Sequence, residues 1–197
     1  MSRRPVSEPT CYLPQVLALS NNGIGAEGAK AISAACPTLP KLKELHLSGN
    51  HLGDAGVAAL FGPPLGSKPE SPSSSSPRFP CLSRLLLDNN YSISGEGARA
   101  LGACLNPIVG SCPSLLELRL AKNSVGPEGA RQLAAGLCVE GCLLRVLDLT
   151  ACKVRAEGAV HLGQALVLNS SPVWAGKMLF EMPKHSPRPQ ALIYTSS

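Results

Sequence analysis

Eight cysteines and four histidines are the side chains of this sequence whose chemistry extends to metal binding and nucleophilic attack. Cys138 and Cys142 are the closest pair of thiols, but no nearby Cys or His completes the four ligands of a structural zinc ion. The basic N-terminus lacks the apolar run of a secretory signal, which predicts a reducing compartment and free thiols. We therefore expect no metal and no cofactor, and a cytoplasmic location with the nucleus as the alternative.

The histidines are scattered and form no catalytic arrangement. His46 falls in a predicted strand and His51 in the turn after it, while His161 falls in a predicted helix and His185 near the C-terminus. None is placed with a serine or cysteine in a way that predicts nucleophilic catalysis. The sequence also lacks a glycine-rich phosphate-binding loop. We therefore expect no enzymatic activity and no small-molecule substrate.

The net charge of +5 lies mostly outside the regular part of the sequence. Residues 14–60 contain three positive and three negative side chains, and residues 81–167 contain eight positive and seven negative ones. No basic stripe is left to follow a phosphate backbone, so we expect no nucleic-acid partner. No apolar run is long enough for a transmembrane helix, so we expect no membrane partner.

A leucine pattern predicts the elements that position the polar side chains. Residues 42–52 read L-x-x-L-x-L-x-x-N-x-L, and the same frame returns at Leu82, Leu115 and Leu144, with an earlier copy at Pro14. Alternate leucines predict a short strand with one face in a core. The asparagine after four of the five strands can satisfy backbone groups of neighbouring turns, and Cys152 takes its place after the fifth.

A glycine- and alanine-rich phrase follows each strand and predicts a helix. Four of the five copies place a glutamate in the first turn, where the helix dipole favours negative charge. In three of them a Lys or Arg follows three residues later, which predicts a surface ion pair. The sequence therefore predicts five strand-plus-helix repeats of about 29 residues each, before insertions.

This double pattern resembles the ribonuclease-inhibitor type of leucine-rich repeat, which also occurs in NOD-like receptors and in Ran GTPase-activating protein. The resemblance covers residues 13–167. It implies an α/β leucine-rich-repeat solenoid, a horseshoe with a parallel sheet on the concave side and helices on the convex side.

Three segments fall outside the pattern. Pro and Ser are so dense in the insertion after the second helix that it cannot build a core, and its two Ser-Pro dipeptides are candidate phosphorylation sites. We expect a flexible N-terminal arm at 1–12, a disordered insertion at about 62–80, and an irregular C-terminal tail at 168–197.

Two interpretations of the tail stay open. In one, Trp174, Met178, Leu179 and Phe180 cover the last apolar face of the solenoid as a cap. In the other, the chain is a fragment or isoform of a longer repeat protein, and the tail is unrelated to the repeats.

The candidate binding surface consists of the third, fifth and seventh positions of each frame, which point away from the core. The middle repeats carry charges of both signs there, which suits recognition of a polar protein surface. The alternative is a solvated face whose charges pair within the chain. The candidate residues are Glu44, His46, Ser48, Arg84, Leu86, Asp88, Glu117, Arg119, Asp148 and Thr150.

These features favour an intracellular protein–protein interaction module that binds a partner protein on its concave face. One alternative is a regulator of an enzyme, either a GTPase activator or an inhibitor. Another is a truncated product of a longer repeat protein, without a function of its own.

Overall fold

The computed structural model describes residues 13–62, 77–108, 110–168 and 177–179, and of residues 168 and 177–179 it describes the backbone alone. Strands and helices alternate along this part of the chain. They are β1 (Val16–Ala18), α1 (Gly25–Ala35), β2 (Glu44–His46), α2 (Gly53–Phe61), β3 (Arg84–Leu86), α3 (Gly95–Cys104), β4 (Glu117–Arg119), α4 (Gly126–Leu137), β5 (Val146–Asp148), α5 (Arg155–Leu168) and β6 (Lys177–Leu179).

The strands form one parallel sheet in the order β1 to β6, so each strand lies beside the next one in the sequence. The central residues of the strands align in a single row. The leucines of that row, Leu45, Leu85, Leu118 and Leu147, are at most 1% exposed. They point into the core between sheet and helices, and the leucine frame predicted this row correctly.

The helices lie side by side over the inner face of the sheet and approach each other closely at glycines. A Cβ added at Gly158 of α5 would lie 2.8 Å from the Cβ of Ala130 in α4. One added at Gly129 of α4 would lie 3.0 Å from the Cβ of Ala98 in α3. The small residues of the second phrase are therefore the contact points of the helix layer.

The two layers have different spacings, and this bends the stack. Neighbouring strands lie about 4.8 Å apart, whereas packed helices lie about 8–10 Å apart. The array therefore curves toward the sheet, which becomes its concave side. The predicted α/β solenoid with a concave parallel sheet and convex helices is confirmed.

Buried asparagines connect one repeat to the next. Asn90 is fully buried, and its Nδ2 donates to the carbonyl oxygens of Leu47, at 3.0 Å, and Leu87, at 2.9 Å. Its Oδ1 accepts from the backbone N–H groups of Asn50 and Leu52, each at 3.1 Å. Since these backbone groups lie in the core, an apolar side chain here would leave them unsatisfied.

Asn123, in the fourth repeat, departs from this scheme. The turn of the preceding repeat, which should donate to it, has one extra residue between Asn90 and Ile93. Asn123 Nδ2 donates to the carbonyl oxygen of Leu87 at 3.0 Å, but its buried Oδ1 has no hydrogen-bond partner. Ile93 supplies the apolar side chain after the turn, and its N–H donates instead to the carbonyl oxygen of Asn90 at 2.8 Å. The extra residue thus removes a donor from Asn123.

The same extra residue changes how α3 begins. The Oδ1 of Asp54, in α2, accepts from the backbone N–H groups of Ser94, at 2.7 Å, and Gly97, at 2.8 Å. Its Oδ2 accepts from the Ser94 hydroxyl at 2.7 Å. A carboxylate of one helix therefore caps the N-terminus of the next, which satisfies donors that helix starts leave free.

The predicted disorder of the insertion at about 62–80 extends too far at its C-terminal end. Phe79 is 2% exposed, and its ring centroid lies 5.5 Å from that of Phe61 at the end of α2. Arg78 Nη1 donates to the carbonyl oxygens of Ala59 and Leu60 at 3.0 and 2.7 Å. The aromatic and guanidinium groups anchor this end, whereas residues 63–76 lie outside the described residues.

The C-terminal tail contains a strand that the leucine frame does not predict. Residues 177–179 form β6, which pairs in parallel with β5 and places Met178 opposite Leu147. Strand pairing uses backbone groups, so it needs no leucine pattern. The predicted arm at 1–12 and the cap residues Trp174 and Phe180 lie outside the described residues.

Candidate functional site

The concave face is the side of the sheet that points away from the helices, and strand register arranges its side chains in rows. The first row holds Glu44, Arg84 and Glu117, each opposite the next. The second row holds His46, Leu86, Arg119 and Asp148 in the same way. Because adjacent strands lie about 4.8 Å apart, neighbours in a row are within reach of each other.

One continuous network of ion pairs, extended by a hydrogen bond to a histidine, crosses three strands of this face. Arg84 donates from Nη1 to Glu44 Oε1 at 3.1 Å and from Nε to Glu117 Oε2 at 2.8 Å. Arg119 Nε donates to Glu117 Oε1 at 2.6 Å. His46 Nε2 lies 3.1 Å from Glu44 Oε2 and completes the chain. The alternating signs of the first row therefore satisfy each other within the chain.

Glu117 is the centre of this network, and its titration reflects its position. Partial burial favours the protonated carboxyl, but hydrogen bonds from Arg119 and Arg84 outweigh that effect, so the pKa of Glu117 lies below its ordinary value. The hydrogen bond to Glu117 in turn raises the pKa of Arg84. Both groups are therefore charged at neutral pH.

Two carboxylates form a second polar group at the strand ends. Asp88 Oδ1 accepts from the backbone N–H of Ala121 at 2.8 Å, and Asp148 Oδ1 accepts from that of Thr150 at 2.9 Å. Burial raises the pKa of Asp88, and the nearby charge of Asp148 adds to the shift, while the hydrogen bond from the Ala121 N–H, the charge of Arg119 and the Ser48 hydroxyl oppose it. This corner of the concave face therefore holds two carboxylates beside half-buried hydroxyls, and the positive charge of Arg119 acts on it.

The structure thus brings the ten predicted residues onto one face but divides them into two groups. Glu44, His46, Arg84, Glu117 and Arg119 share the ion-pair network. Asp88, Asp148, Ser48 and Thr150 belong to the acidic corner, and Leu86 lies half-buried in the second row. Their role in binding remains a prediction. The alternation Glu-Arg-Glu at equivalent positions of three repeats was the signal for pairing across strands.

The cysteines add no reactive group to this face. All seven cysteines in the described part of the chain are free, and burial raises the pKa of Cys36 and of Cys152 to about 11. Both thiols are therefore protonated at neutral pH and are poor nucleophiles. Within the same residues, no group of three or more His, Cys, Asp or Glu side chains could hold a metal ion. None of the described helices meets the length and hydropathy needed to cross a bilayer.

Parallel strands, stacked helices and a turn residue that is asparagine in four repeats and Cys152 in the fifth define a leucine-rich-repeat solenoid with an open polar sheet face. The family model described as "Leucine Rich repeat" matches residues 15–33, 38–61 and 111–134. This chain is a leucine-rich-repeat protein of the ribonuclease-inhibitor type.

Relatives of known identity include the ribonuclease inhibitor of Sus scrofa, which is 32% identical over 77% of this chain and 30% of its own length. That of Mus musculus is 32% identical over 84% of this chain and 33% of its own length. The human NACHT, LRR and PYD domains-containing protein 5 is 29% identical over 86% of this chain and 13% of its own length. The chain thus spans about a third of the length of the ribonuclease inhibitors that it matches.

Proposed function

We propose that the chain is a non-enzymatic protein-binding module that holds a partner protein on the concave face of its repeats. The observation that supports this most strongly is the ion-pair network that runs from His46 to Arg119. Each charged group of the network is held by a neighbour on the same or an adjacent strand. Side chains that are already held in place lose little conformational entropy when a partner binds, so the free-energy cost of binding is lower.

The network also restricts the kind of contact that a partner makes. Arg84 and Arg119 are each about half exposed, with side-chain accessibilities of 46% and 48%, although both are ion-paired. Their remaining N–H groups are free to donate to carbonyl or carboxylate oxygens. The partner surface is therefore expected to present acceptors to Arg84 and Arg119 and donors to the acidic corner.

The test is a comparison of two triple variants that change charge equally on opposite sides of the solenoid. Glu44→Lys, Arg84→Glu, Arg119→Glu alters the concave face. Glu96→Lys, Arg99→Glu, Arg131→Glu alters the ion pairs of α3 and α4 on the convex side and serves as the matched control. Proteins captured by the immobilised wild-type chain are identified by mass spectrometry, and the dissociation constant of each is measured against both variants.

We expect the concave variant to lose at least about tenfold in affinity, while the convex variant binds like the wild type. Circular dichroism and thermal unfolding are the control that both variants are folded. If every partner binds the two variants equally well, the concave-face proposal is wrong.

Similarity to two ribonuclease inhibitors at 32% identity supports a second candidate, which is inhibition of a ribonuclease by the same face. The purified chain is added to a ribonuclease activity assay at increasing concentration, with the concave variant beside it. Inhibition by the wild type that the concave variant lacks would support this candidate. Unchanged activity at micromolar concentrations of the chain would exclude it.

A further inference from the structure

Exposed basic side chains lie together at the edge of the solenoid where the fourth and fifth strands end. Lys122 is in the turn after β4, Lys153 is in the turn after β5, and Arg155 is the first residue of α5. All three side chains are exposed. Because they follow neighbouring strands of one parallel sheet, they lie at the same end of that sheet. We name these three residues the basic edge.

Backbone hydrogen bonds hold the two turns of the basic edge against each other. The N–H of Lys122 donates to the carbonyl oxygen of Thr150 at 2.8 Å. The N–H of Gly126 donates to the carbonyl oxygen of Cys152, the residue before Lys153, at 3.0 Å. The backbones that carry the basic side chains are therefore fixed relative to each other.

The three residues of the basic edge have left-handed backbone conformations, which lysine and arginine rarely adopt. Their φ angles are 57° or 58°. A Cβ atom makes this conformation unfavourable, so glycine is the residue that adopts it most readily. In other repeats of the chain, the equivalent positions are occupied by Gly49, Gly23 and Gly126, whose φ angles are also positive. Folding therefore favours glycine at these positions, and the basic side chains lower the stability of the fold.

No ion pair offsets this strain in the part of the chain that the structure describes. The residues of the basic edge form no ion pair with another described residue. On the concave face and on the helices, by contrast, Arg84, Arg119 and Arg131 each bind a glutamate. Unfavourable backbone conformations that bring no gain in stability are typical of functional sites. The strain at the basic edge therefore indicates a binding role for these side chains.

The helix starts beside the basic edge determine its net charge. Helices α4 and α5 begin there, and a helix N-terminus carries partial positive charge. Each first turn also contains a glutamate, but Glu128 of α4 is ion-paired with Arg131. Glu157 of α5 forms no ion pair with a described residue. Three basic side chains and one unpaired glutamate leave the edge positive, which favours a negatively charged partner.

An acidic protein segment fits this edge better than a nucleic acid does. Phosphates follow each other closely along a nucleic acid, so they need a continuous basic stripe. Here the positive charge is interrupted, because Glu157 lies two residues after Arg155 and Asp88 accepts from the N–H of Ala121, the residue before Lys122. Carboxylates on a protein segment can be spaced to meet the basic groups and to avoid the acidic ones.

We propose that the basic edge is a second docking surface, which binds an acidic segment of a partner protein through Lys122, Lys153 and Arg155. Carboxylates of the segment pair with the two ammonium groups, and the Arg155 guanidinium offers a bidentate contact. The binding role explains why basic residues occupy positions where the fold favours glycine. None of the three belongs to the ion-pair network or to the acidic corner, so this proposal goes beyond the concave face and does not depend on it.

The test compares two triple variants of the full chain that each lose three positive charges. The edge variant is Lys122→Gly, Lys153→Gly, Arg155→Gly, which gives each backbone position the residue that its conformation favours. The control variant is Lys41→Ala, Lys43→Ala, Arg145→Ala. These residues are also exposed, but they lie at the opposite end of the strands and outside the left-handed region. The probe is a fluorescein-labelled peptide of alternating glutamate and glycine, and its dissociation constant is measured by fluorescence anisotropy.

We expect the edge variant to bind the peptide at least about fivefold more weakly than the wild type, and the control variant to stay within about twofold of it. The edge variant should also unfold at a temperature no lower than the wild type does, because glycine relieves the backbone strain. Weaker binding by a chain of equal or higher stability assigns the loss to the missing side chains.

Three results would overturn the proposal. The first is a wild-type chain that does not bind the peptide. The second is equal weakening in the edge and control variants, because this would mean that overall charge alone attracts the peptide. The third is a single-stranded DNA of the same charge that binds the wild type more tightly than the peptide and is lost in the edge variant. Neither variant changes the concave face, so each of these results leaves the concave-face proposal intact.

Discussion

Arg84 and Glu117 lie directly opposite each other on β3 and β4, with Nε of the arginine 2.8 Å from Oε2 of the glutamate. The other oxygen of Glu117 accepts from Arg119 at 2.6 Å. A single carboxylate therefore joins two arginines from two strands, and its protonation affects the whole network.

Replacement of Glu117 by Gln tests this relationship through its pH dependence. The pKa of Glu117 is lowered in the folded chain, so the ionised form stabilises the fold at neutral pH, and this contribution is lost as the pH falls through the lowered pKa. We expect Glu117→Gln to cost about 0.5–1 kcal/mol at pH 7 and less at pH 3. Denaturant unfolding at both pH values measures the difference, with Glu96→Gln on the exposed α3 pair as control. An equal loss at both pH values would contradict the electrostatic origin.

The ionised carboxylate of Asp88 should lower the stability of the fold at neutral pH, whereas that of Glu117 raises it. Burial raises the pKa of Asp88, so the folded chain holds the proton more tightly than the unfolded chain, and the ionised carboxylate lowers stability at pH 7. Asparagine removes the charge and keeps an oxygen for the Ala121 N–H. We expect Asp88→Asn to raise the unfolding free energy by about 0.5–1 kcal/mol at pH 7 and to lose this gain as the pH approaches 3. Glu140→Gln, on the surface, should have no effect, and a destabilised Asp88→Asn at pH 7 would refute the assignment.

The asparagine ladder predicts unequal costs for the same substitution in two repeats. Asn90→Cys would leave two buried N–H donors without an acceptor, so we expect a loss of about 2–4 kcal/mol. Asn123 accepts no hydrogen bond, and a thiol there can donate to a carbonyl as Cys152 does to Leu120. We therefore expect Asn123→Cys to cost only about 1 kcal/mol. Equal losses in chemical denaturation would show that the acceptor role of Asn90 is unimportant.

Gly126 and Arg155 occupy the same position in successive repeats, with φ of +66° and +58°. A Cβ at Gly126 would meet no atom within 4 Å, so the substitution reports on backbone conformation alone. We expect Gly126→Ala to lower stability, and Arg155→Gly to raise it, by about 1 kcal/mol each. Thermal unfolding of the two variants and of the combined one measures this. Changes of the same sign in both single variants would contradict the expectation.

Phe79 should be the main anchor of the insertion. Phe79→Ala removes a buried ring that packs on Phe61, and we expect a loss of about 3–5 kcal/mol in unfolding free energy. Tyr91 is 60% exposed, so Tyr91→Ala should change stability by less than about 0.5 kcal/mol. A loss below about 1 kcal/mol for Phe79→Ala would mean that the insertion is not anchored there.

The repeat frame was sufficient to predict the first five strands, the buried leucine row and the face on which the charged residues lie. It places opposite charges side by side on neighbouring strands, but which of them pair also depends on side-chain rotamers, which the frame does not report. The composition of the insertion predicted disorder as far as residue 80, because a single phenylalanine changes little in a segment with so many Pro and Ser residues. The burial of Phe79 was therefore not predicted. β6 was missed for a different reason, because its pairing rests on backbone groups that no side-chain pattern reports.

The direction of the asparagine hydrogen bonds has a consequence for synthesis of the chain. The backbone N–H groups of Asn22 and Ile24 donate to Asn50 Oδ1, which lies in the next repeat. The backbone N–H groups of Asn50 and Leu52 donate in the same way to Asn90 Oδ1. A nascent chain emerges from the ribosome N-terminus first. The first two turns therefore receive these hydrogen bonds only after the following repeat has emerged, so their ordered structure is completed one repeat behind translation.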